Sequence, residues 1–414
     1  MKRLLIVGAA SILGVVLMFS LVGRLILQAV PPYPDILGND NYIEKITGLY
    51  LVEQSAAREN NIIIYGSSEL RTLNISTHPV NFFEGQRNNI QVNLVGRGSC
   101  QSLIHAINIA ATGDALTGKK VVLITSPQSY VKDGITPDMF IANFSELQYL
   151  TLMLDSDVPK DVKQYISGRV SELTAKYNEI TGNSLYRNDA TGILAAVTTN
   201  SSVTARVVDI VMQPFYHFSK WIFGVRDLVV SSKLIESVQS PSKGSTPGSN
   251  EATGQADKLG EAIDWSSELS AAVVEAERLA DNNDYGMLND YFTTYIGRKL
   301  DQQEGKDSEL SYSDSKEYKD LQVLLDICKL KGIEPLFIHV PLHGEWSDYT
   351  GFNKERREEY YQNVRDIVGR YDNVTMVDLT GYEYEEYFLC DIMHLGWKGW
   401  LEVDKAIEQH YRGN

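Results

Sequence analysis

Hydrophobic and polar positions along the chain predict five short buried strands. Each is a run of apolar, mostly β-branched residues, and the runs are Asn61–Tyr65, Ile90–Val95, Val121–Thr125, Pro335–Val340 and Val374–Val377. Continuous apolar runs are typical of parallel strands covered on both faces. Helical patterns separate most of them, over Ser102–Ala115, Tyr318–Leu330 and Lys354–Tyr371. Strands alternating with helices predict an α/β fold with a doubly wound, mostly parallel five-stranded sheet.

The interval from residue 131 to residue 310 interrupts this alternation. Its pattern predicts several helices and one stretch rich in Ser, Gly, Pro and Thr, Gln239–Gln255, which is typical of a disordered loop. We therefore expect residues 131–310 to form a helical insertion or lid within a domain that occupies residues 31–414.

The first thirty residues differ from the rest in composition. Leu4–Gly23 contains neither charge nor proline, and a helix of that length spans roughly 30 Å, the thickness of a bilayer's hydrocarbon core. Two cations precede the stretch and one follows it, which favours an N-terminus in the cytoplasm. We expect residues 1–30 to be a single-pass transmembrane anchor and residues 31–414 to be extracellular. The alternative is a signal peptide cleaved at a small-residue site near Ala29.

The charge balance and the cysteine count exclude several kinds of partner. The 54 acidic residues outnumber 38 Lys and Arg, so the net charge is −16, and without the three cations of residues 1–30 it is −19. Such a surface repels a phosphate backbone, and nucleic-acid binding is not expected. The three cysteines form no CxxC pair, although one bridge between Cys100 and Cys390 stays open. The sequence predicts no metal site and no cofactor.

A glycine followed by two serines ends the first predicted strand. After Asn61–Tyr65 the chain continues with Gly66-Ser67-Ser68. Open α/β sheets bind their ligands beyond the carboxyl ends of the strands, and a serine at a helix start has its hydroxyl near backbone N–H donors. Either serine can therefore be a nucleophile, or it can simply cap the next helix, as serine commonly does.

A second candidate segment lies near the C-terminus, in a loop that leads into the last predicted helix. It contains Asp391 and His394, three residues apart. A serine nucleophile needs a base to take its proton, and neutral imidazole does this near pH 7. A carboxylate must then hold the other nitrogen of the imidazole. The Asp-x-x-His spacing is a weak signal alone, but combined with the strand-ending serines it indicates serine acyl chemistry.

These segments resemble the conserved blocks of the SGNH/GDSL hydrolase superfamily. The blocks are Gly66-Ser67-Ser68, Gly98 and Asp391-x-x-His394, with Ser67 where the pattern usually has aspartate. Within the superfamily the chain is similar to the DltD family of D-alanyl transfer proteins, through GSSEL, GRGSCQ, TSPQ, VPL followed by WxDYTG, and HLGWKGW. The similarity extends over nearly the whole chain, from the anchor to Trp400.

The resemblance implies an SGNH-like fold and a role for individual residues. Ser68 matches the nucleophile and Gly98 the backbone oxyanion donor. Asp391 and His394 match the rest of a Ser-His-Asp triad. The usual oxyanion asparagine is missing, and Gln128, after the third strand, is the candidate to replace it.

The resemblance also implies an enzyme, a membrane-anchored extracellular serine acyltransferase that moves D-alanyl groups onto teichoic or lipoteichoic acid of the cell wall. Its implied partners are the teichoic acid polymer, the membrane, and membrane proteins of the D-alanylation pathway, including an acyl donor. Glu69 is a candidate to bind the D-alanyl ammonium, unless it is only a solvated glutamate at a helix start. Two alternatives are an extracellular polysaccharide O-acetyl esterase or acetyltransferase, and a non-catalytic scaffold of the D-alanylation machinery.

Two further histidines have other interpretations. His105 lies inside an apolar helical pattern and is expected to be a hydrogen-bonded core residue. His343 lies on a different loop from the Asp-x-x-His segment, and we expect it to face the substrate or solvent, not to act as the base.

Overall fold

A five-stranded sheet forms the centre of the protein, for which a computed structural model describes residues 2–240 and 262–412. The strands are β1 Asn61–Tyr65, β2 Gln91–Val95, β3 Lys120–Thr125, β4 Glu334–His339 and β5 Thr375–Asp378. Every neighbouring pair is parallel, in the order β2-β1-β3-β4-β5. The predicted α/β class is confirmed, and the sheet is entirely parallel.

Helices connect and cover the strands in the described part of the chain. Those before β4 are α1 Lys2–Ala29, α2 Ile43–Thr47, α3 Tyr50–Ala56, α4 Pro79–Phe82, α5 Ser102–Thr112, α6 Pro137–Asn143, α7 Glu146–Leu154, α8 Lys160–Thr181, α9 Ala190–Thr199, α10 Val203–Gln239, α11 Trp265–Leu279, α12 Asn289–Tyr291 and α13 Glu317–Leu330. Those after β4 are α14 Gly344–Thr350, α15 Lys354–Val368 and α16 Trp397–Arg412.

The sheet separates two hydrophobic cores. In β1, Ile63 and Tyr65 belong to one core and Ile62 and Ile64 to the other, because successive side chains of a strand point to opposite faces. Helices α5, α13 and α15 cover the first face, and α11 and α16 cover the second. This two-sided burial explains why the strands are continuous apolar runs and not alternating ones.

The chain between β3 and β4 is largely helical, and one buried ion pair joins its helix α8 to α13, which covers the sheet. Arg169 of α8 lies 3.1 Å from the carboxylate of Asp320 in α13, which also accepts a 2.8 Å hydrogen bond from the Tyr165 hydroxyl. The division of the chain at residues 131 and 310 stays a prediction. Most of the predicted disordered loop, from residue 241 onward, lies outside the described residues.

Helix α1 contains the stretch predicted to be a membrane anchor. Its Phe19 ring packs 4.5 Å from the ring of Trp221 in α10. Within residues 2–240 and 262–412, no helix combines the length and apolar character needed to cross a membrane. The anchor and the extracellular location stay predictions.

Candidate active site

The candidate residues meet at the carboxyl edge of the sheet. Ser68 follows β1, Gly98 follows β2 and Gln128 follows β3, three strands that are adjacent in the sheet. The strand order reverses direction around β1, and such a switch point opens the crevice in which α/β sheets bind ligands. The loop before α16 brings His394 to the same crevice from the other end of the chain.

Two short hydrogen bonds join three residues predicted from the sequence. The Ser68 Oγ lies 2.7 Å from Nε2 of His394, and Nδ1 of the same imidazole lies 2.6 Å from Oδ2 of Asp391. Ser68 begins a short 3-10 helix, Ser68–Arg71, whose N-cap residue is Ser67 and makes no capping hydrogen bond with its side chain. The helix-capping alternative is therefore not what the structure has.

The Asp-x-x-His spacing has a local structural reason. The other carboxylate oxygen of Asp391, Oδ1, accepts the backbone N–H groups of Met393 at 2.9 Å and His394 at 2.8 Å. This turn fixes the carboxylate and leaves Oδ2 directed at the imidazole. A single loop thus supplies both the base and the group that orients it.

Opposing effects act on the imidazole of His394. Burial favours the neutral form, but the hydrogen bond and charge of Asp391, together with the charge of Glu69, outweigh it. The pKa of His394 is therefore raised above its ordinary value of 6.5. With Nδ1–H donated to Asp391, the neutral ring presents the lone pair of Nε2 to the Ser68 hydroxyl.

The Glu69 side chain is buried, whereas both interpretations from the sequence expected an accessible carboxylate. Its side chain is only 3 % exposed, and Oε1 accepts the backbone N–H of Ser67 at 2.6 Å. Burial raises the pKa of Glu69, and its Oε2 has no hydrogen-bond partner among the described residues. The Glu69 side chain points into the protein, as does that of its buried neighbour Leu70. From there its carboxyl group holds the backbone of the serine loop through the Ser67 N–H.

Two backbone amides and one side-chain amide lie on the loops that follow β1, β2 and β3. The N–H groups of Ser68 and Gly98 donate to no acceptor in the described part of the chain, and Gly98 is exposed. Gln128 is exposed too, with Nε2 at 3.5 Å from the Ser68 Oγ. An oxygen that becomes negatively charged next to Ser68 would need donors of this kind.

Glycine is required where the loops after β1 and β2 touch. Gly96 has φ +142°, and a Cβ there would lie 1.8 Å from the Gly66 carbonyl oxygen. Next to this contact the backbone N–H of Ser99 donates to the Ser67 Oγ at 2.9 Å. The Ser67 hydroxyl thus accepts a hydrogen bond that connects the two loops.

Sequence reasoning missed the side chains that hold the Gly98 loop. Arg97 donates to Oδ1 of Asn143 at 2.8 Å and to the carbonyl oxygen of Ala142 at 2.6 Å. Nδ2 of Asn143 lies 3.4 Å from the carbonyl oxygen of Gly98. The end of α6 therefore braces this loop. In the sequence, the position of Arg97 between two glycines was a signal that could have indicated its role. Nothing in the sequence marks Asn143.

The other histidines and the cysteines have structural positions. His105 is buried with Nε2 at 3.1 Å from the Gly66 carbonyl oxygen, and burial lowers its pKa to about 4, as a core histidine requires. His343 is buried and not solvated, because Nδ1 accepts the Trp346 N–H at the start of α14 and Nε2 bonds the Tyr285 carbonyl at 2.8 Å. All three cysteines are buried and free. The described residues contain no cluster of three potential metal ligands.

The fold is thus a parallel α/β sheet with Ser68, His394 and Asp391 hydrogen-bonded in series at its carboxyl edge. A family model described as DltD protein matches residues 40–412. Protein DltD of Bacillus subtilis (strain 168) is 33 % identical over 368 residues, which are 88 % of this chain and 86 % of that protein. The chain therefore belongs to the DltD family, which takes part in teichoic-acid D-alanylation, and the resemblance seen in the sequence is confirmed.

Two more distant relatives carry the same name. Protein DltD of Staphylococcus aureus (strain NCTC 8325 / PS 47) is 25 % identical over 84 % of this chain and 81 % of its own length. Protein DltD of Lacticaseibacillus rhamnosus is 24 % identical over 86 % of this chain and 78 % of its own length. The similarity thus includes the sheet, the insertion and the C-terminal loop, and not the serine segment alone.

Proposed function

We propose that the protein is a membrane-anchored extracellular acyltransferase that uses Ser68 to move D-alanyl groups onto teichoic acid. One observation carries the proposal, the relay from the Ser68 Oγ through His394 to Asp391 over hydrogen bonds of 2.7 and 2.6 Å. Membership of the DltD family supports the D-alanyl group as the one transferred.

The first step is acylation of the serine. Ser68 Oγ attacks the carbonyl carbon of a D-alanyl ester or thioester while Nε2 of His394 takes the hydroxyl proton. The amides of Ser68 and Gly98, with Nε2 of Gln128, stabilise the negative oxygen that forms. When the tetrahedral intermediate collapses, the bond to the leaving group breaks and the proton on His394 passes to it.

The second step returns the enzyme to its starting state. A hydroxyl of teichoic acid loses its proton to His394 and attacks the D-alanyl ester on Ser68, which then leaves as the free hydroxyl. Water is the competing nucleophile, so transfer depends on positioning the acceptor and excluding water. The insertion is suited to this task because Asn143, at the end of α6, already contacts the Gly98 loop.

Anchoring serves the reaction as well. The part of the chain after the anchor has a net charge of −19, which disfavours long-range attraction of a polyanionic acceptor. Holding the enzyme and a membrane-bound acceptor or acyl donor on one surface raises their effective concentrations without a new contact. Membrane proteins of the pathway are therefore the expected source of the acyl group.

The direct test is the D-alanine ester content of teichoic acid purified from a deletion strain complemented with variants. Ser68→Ala should remove the esters as the deletion does, whereas Ser201→Ala, at an exposed position before α10, should restore them. Equal protein levels must be verified by immunoblotting. Normal ester content with Ser68→Ala would overturn the serine mechanism and favour a scaffold.

A second measurement separates acyl transfer from deacetylation. The purified full-length protein is incubated with a D-alanyl thioester and, separately, with an O-acetylated polysaccharide, and the peptide containing Ser68 is examined by mass spectrometry. A D-alanyl adduct that Ser68→Ala abolishes supports the proposal. Release of acetate without any D-alanyl adduct would favour an O-acetyl esterase.

A further inference from the structure

One face of α10 is apolar and exposed over about five turns. The side chains of Val203, Ile210 and Val211 are 75 %, 71 % and 67 % exposed. Exposed apolar patches of this kind mark interaction sites in soluble and membrane proteins. The full set of exposed large apolar side chains in this half of the helix is Val203, Val207, Val208, Ile210, Val211, Phe215, Phe218 and Ile222, and we call it the α10 stripe.

The stripe is continuous because its members follow helical spacing. Steps of three and four residues keep side chains on one side of a helix. The charged residues within the same span, Arg206, Asp209 and Lys220, fall outside the stripe at 100° per residue. The opposite side of α10 packs on the protein, with Tyr216 fully buried.

Helix α1 lies beside α10 and runs in the same direction. The Phe19 ring is 5.6 Å from that of Phe218 and 4.5 Å from that of Trp221, and further along both helices Gln239 donates to the Pro32 carbonyl oxygen at 3.2 Å. Val203 precedes Phe218 by fifteen residues, which is about 22 Å along a helix. The stripe therefore extends in the direction of the apolar N-terminal half of α1.

The two helices carry cations at the same level. Arg24, just after the predicted span, and Lys220, near the end of the stripe, line one cavity of about 620 Å³ between α1 and α10. In α1, Leu17, Met18, Leu21 and Val22 before Arg24 are exposed, as are Leu25 and Leu27 after it. Exposed apolar side chains of both helices thus occur on the N-terminal side of these two cations.

We propose that the α10 stripe is a second membrane-contacting element, which lies against bilayer lipid beside α1. The inference rests on the proposed anchor, since α1 defines where the lipid is. Lipid is the occupant that fits, because the stripe continues the apolar surface of α1 and none of the stripe's side chains is charged. The sequence of residues 241–261, which follows α10, is rich in Ser, Gly and acidic residues, a composition unsuited to cover a wide apolar surface.

Site-directed spin labelling of the full-length protein in phosphatidylglycerol vesicles tests the proposal. Nitroxides are attached at Val207→Cys and Val211→Cys, at the control Glu236→Cys on the last turns of α10, and at Leu17→Cys as the anchor reference. The native cysteines are buried, which limits background labelling. Circular dichroism must match the unmodified protein for each variant.

We expect the ratio of oxygen to nickel-chelate collision rates to be several-fold higher at the stripe positions than at position 236, because oxygen concentrates in lipid and the chelate stays in water. A lipid-like ratio at position 17 with a water-like ratio at 207 and 211 would overturn this inference alone. Water-like ratios at all of them would overturn the proposed anchor too. Labels at 207 and 211 that neither reagent reaches would mean that protein covers the stripe, which also refutes lipid contact.

Discussion

The substitution Asp391→Asn tests the proposed relay, because it changes one atom and leaves the shape of the side chain intact. In the wild-type protein Oδ1 of Asp391 accepts two backbone N–H groups, at 2.8 and 2.9 Å, and Oδ2 accepts Nδ1–H of His394. An asparagine can keep only one of these oxygens. The new NH2 group must therefore face either the two backbone donors or the imidazole.

The structure decides between these two orientations. Turning the NH2 group toward the backbone removes two hydrogen bonds, each worth about 1 kcal/mol, and opposes donors to donors. Asparagine should therefore keep its oxygen on the backbone and donate to Nδ1 of His394. That forces the ring proton onto Nε2, so the imidazole cannot take the proton of Ser68. In a serine protease the corresponding change slows catalysis about 10,000-fold, or about 5 kcal/mol of transition-state stabilisation.

The rate of adduct formation on Ser68 from a small activated D-alanyl ester measures the loss. Nitrogen-15 NMR of labelled His394 reports which ring nitrogen carries the proton and should move from Nδ1–H to Nε2–H. Asp161→Asn, at an exposed position in the first turn of α8, is the matched control and should acylate at the wild-type rate. A rate within tenfold of wild type for Asp391→Asn, with the ring proton shown to lie on Nε2, would refute the role of His394 as base.

Further outcomes follow from the same geometry. Ser68→Ala and His394→Ala should each abolish adduct formation, and the double variant should be scarcely slower than either, because the residues act as a unit; additive losses would contradict this. Glu69→Gln retains an acceptor for the Ser67 N–H but removes a charge that raises the pKa of His394, so the acidic limb of the pH–rate profile should move to lower pH. An unmoved limb would exclude that coupling. Gln128→Ala should lower kcat about 100-fold if Nε2 binds the oxyanion, whereas an effect on KM alone would assign Gln128 to substrate binding.

Electrostatics around the base explain the direction of the pH dependence. His394 can accept the serine proton only when neutral, so activity should fall as the pH drops through its pKa. Asp391 and Glu69 place that pKa above 6.5, and removing either charge lowers it. The profile of the wild-type protein should therefore have its acidic limb at a higher pH than that of Glu69→Gln.

The sequence alone determined the parts of the fold that depend on local patterns. The five strands and the helices α5, α13 and α15 lie within a few residues of the predicted runs, because a strand buried on both faces needs a continuous apolar run and a helix needs a regular stripe. The relation between Asp391 and His394 could be predicted from their spacing for the same reason, since the turn that orients Asp391 is formed within four residues.

Only the tertiary structure decided which way side chains face once distant segments pack together. Glu69 is next to Ser68 in sequence, yet it points inward, and Asn143 is 45 residues from Gly98, yet it contacts the Gly98 loop. His343 became a helix cap for the same reason, because the carbonyl of Tyr285 approaches from the insertion. Local sequence fixes the backbone state of a residue, but its exposure and partners depend on long-range packing, and no periodicity in the chain encodes contacts of that kind.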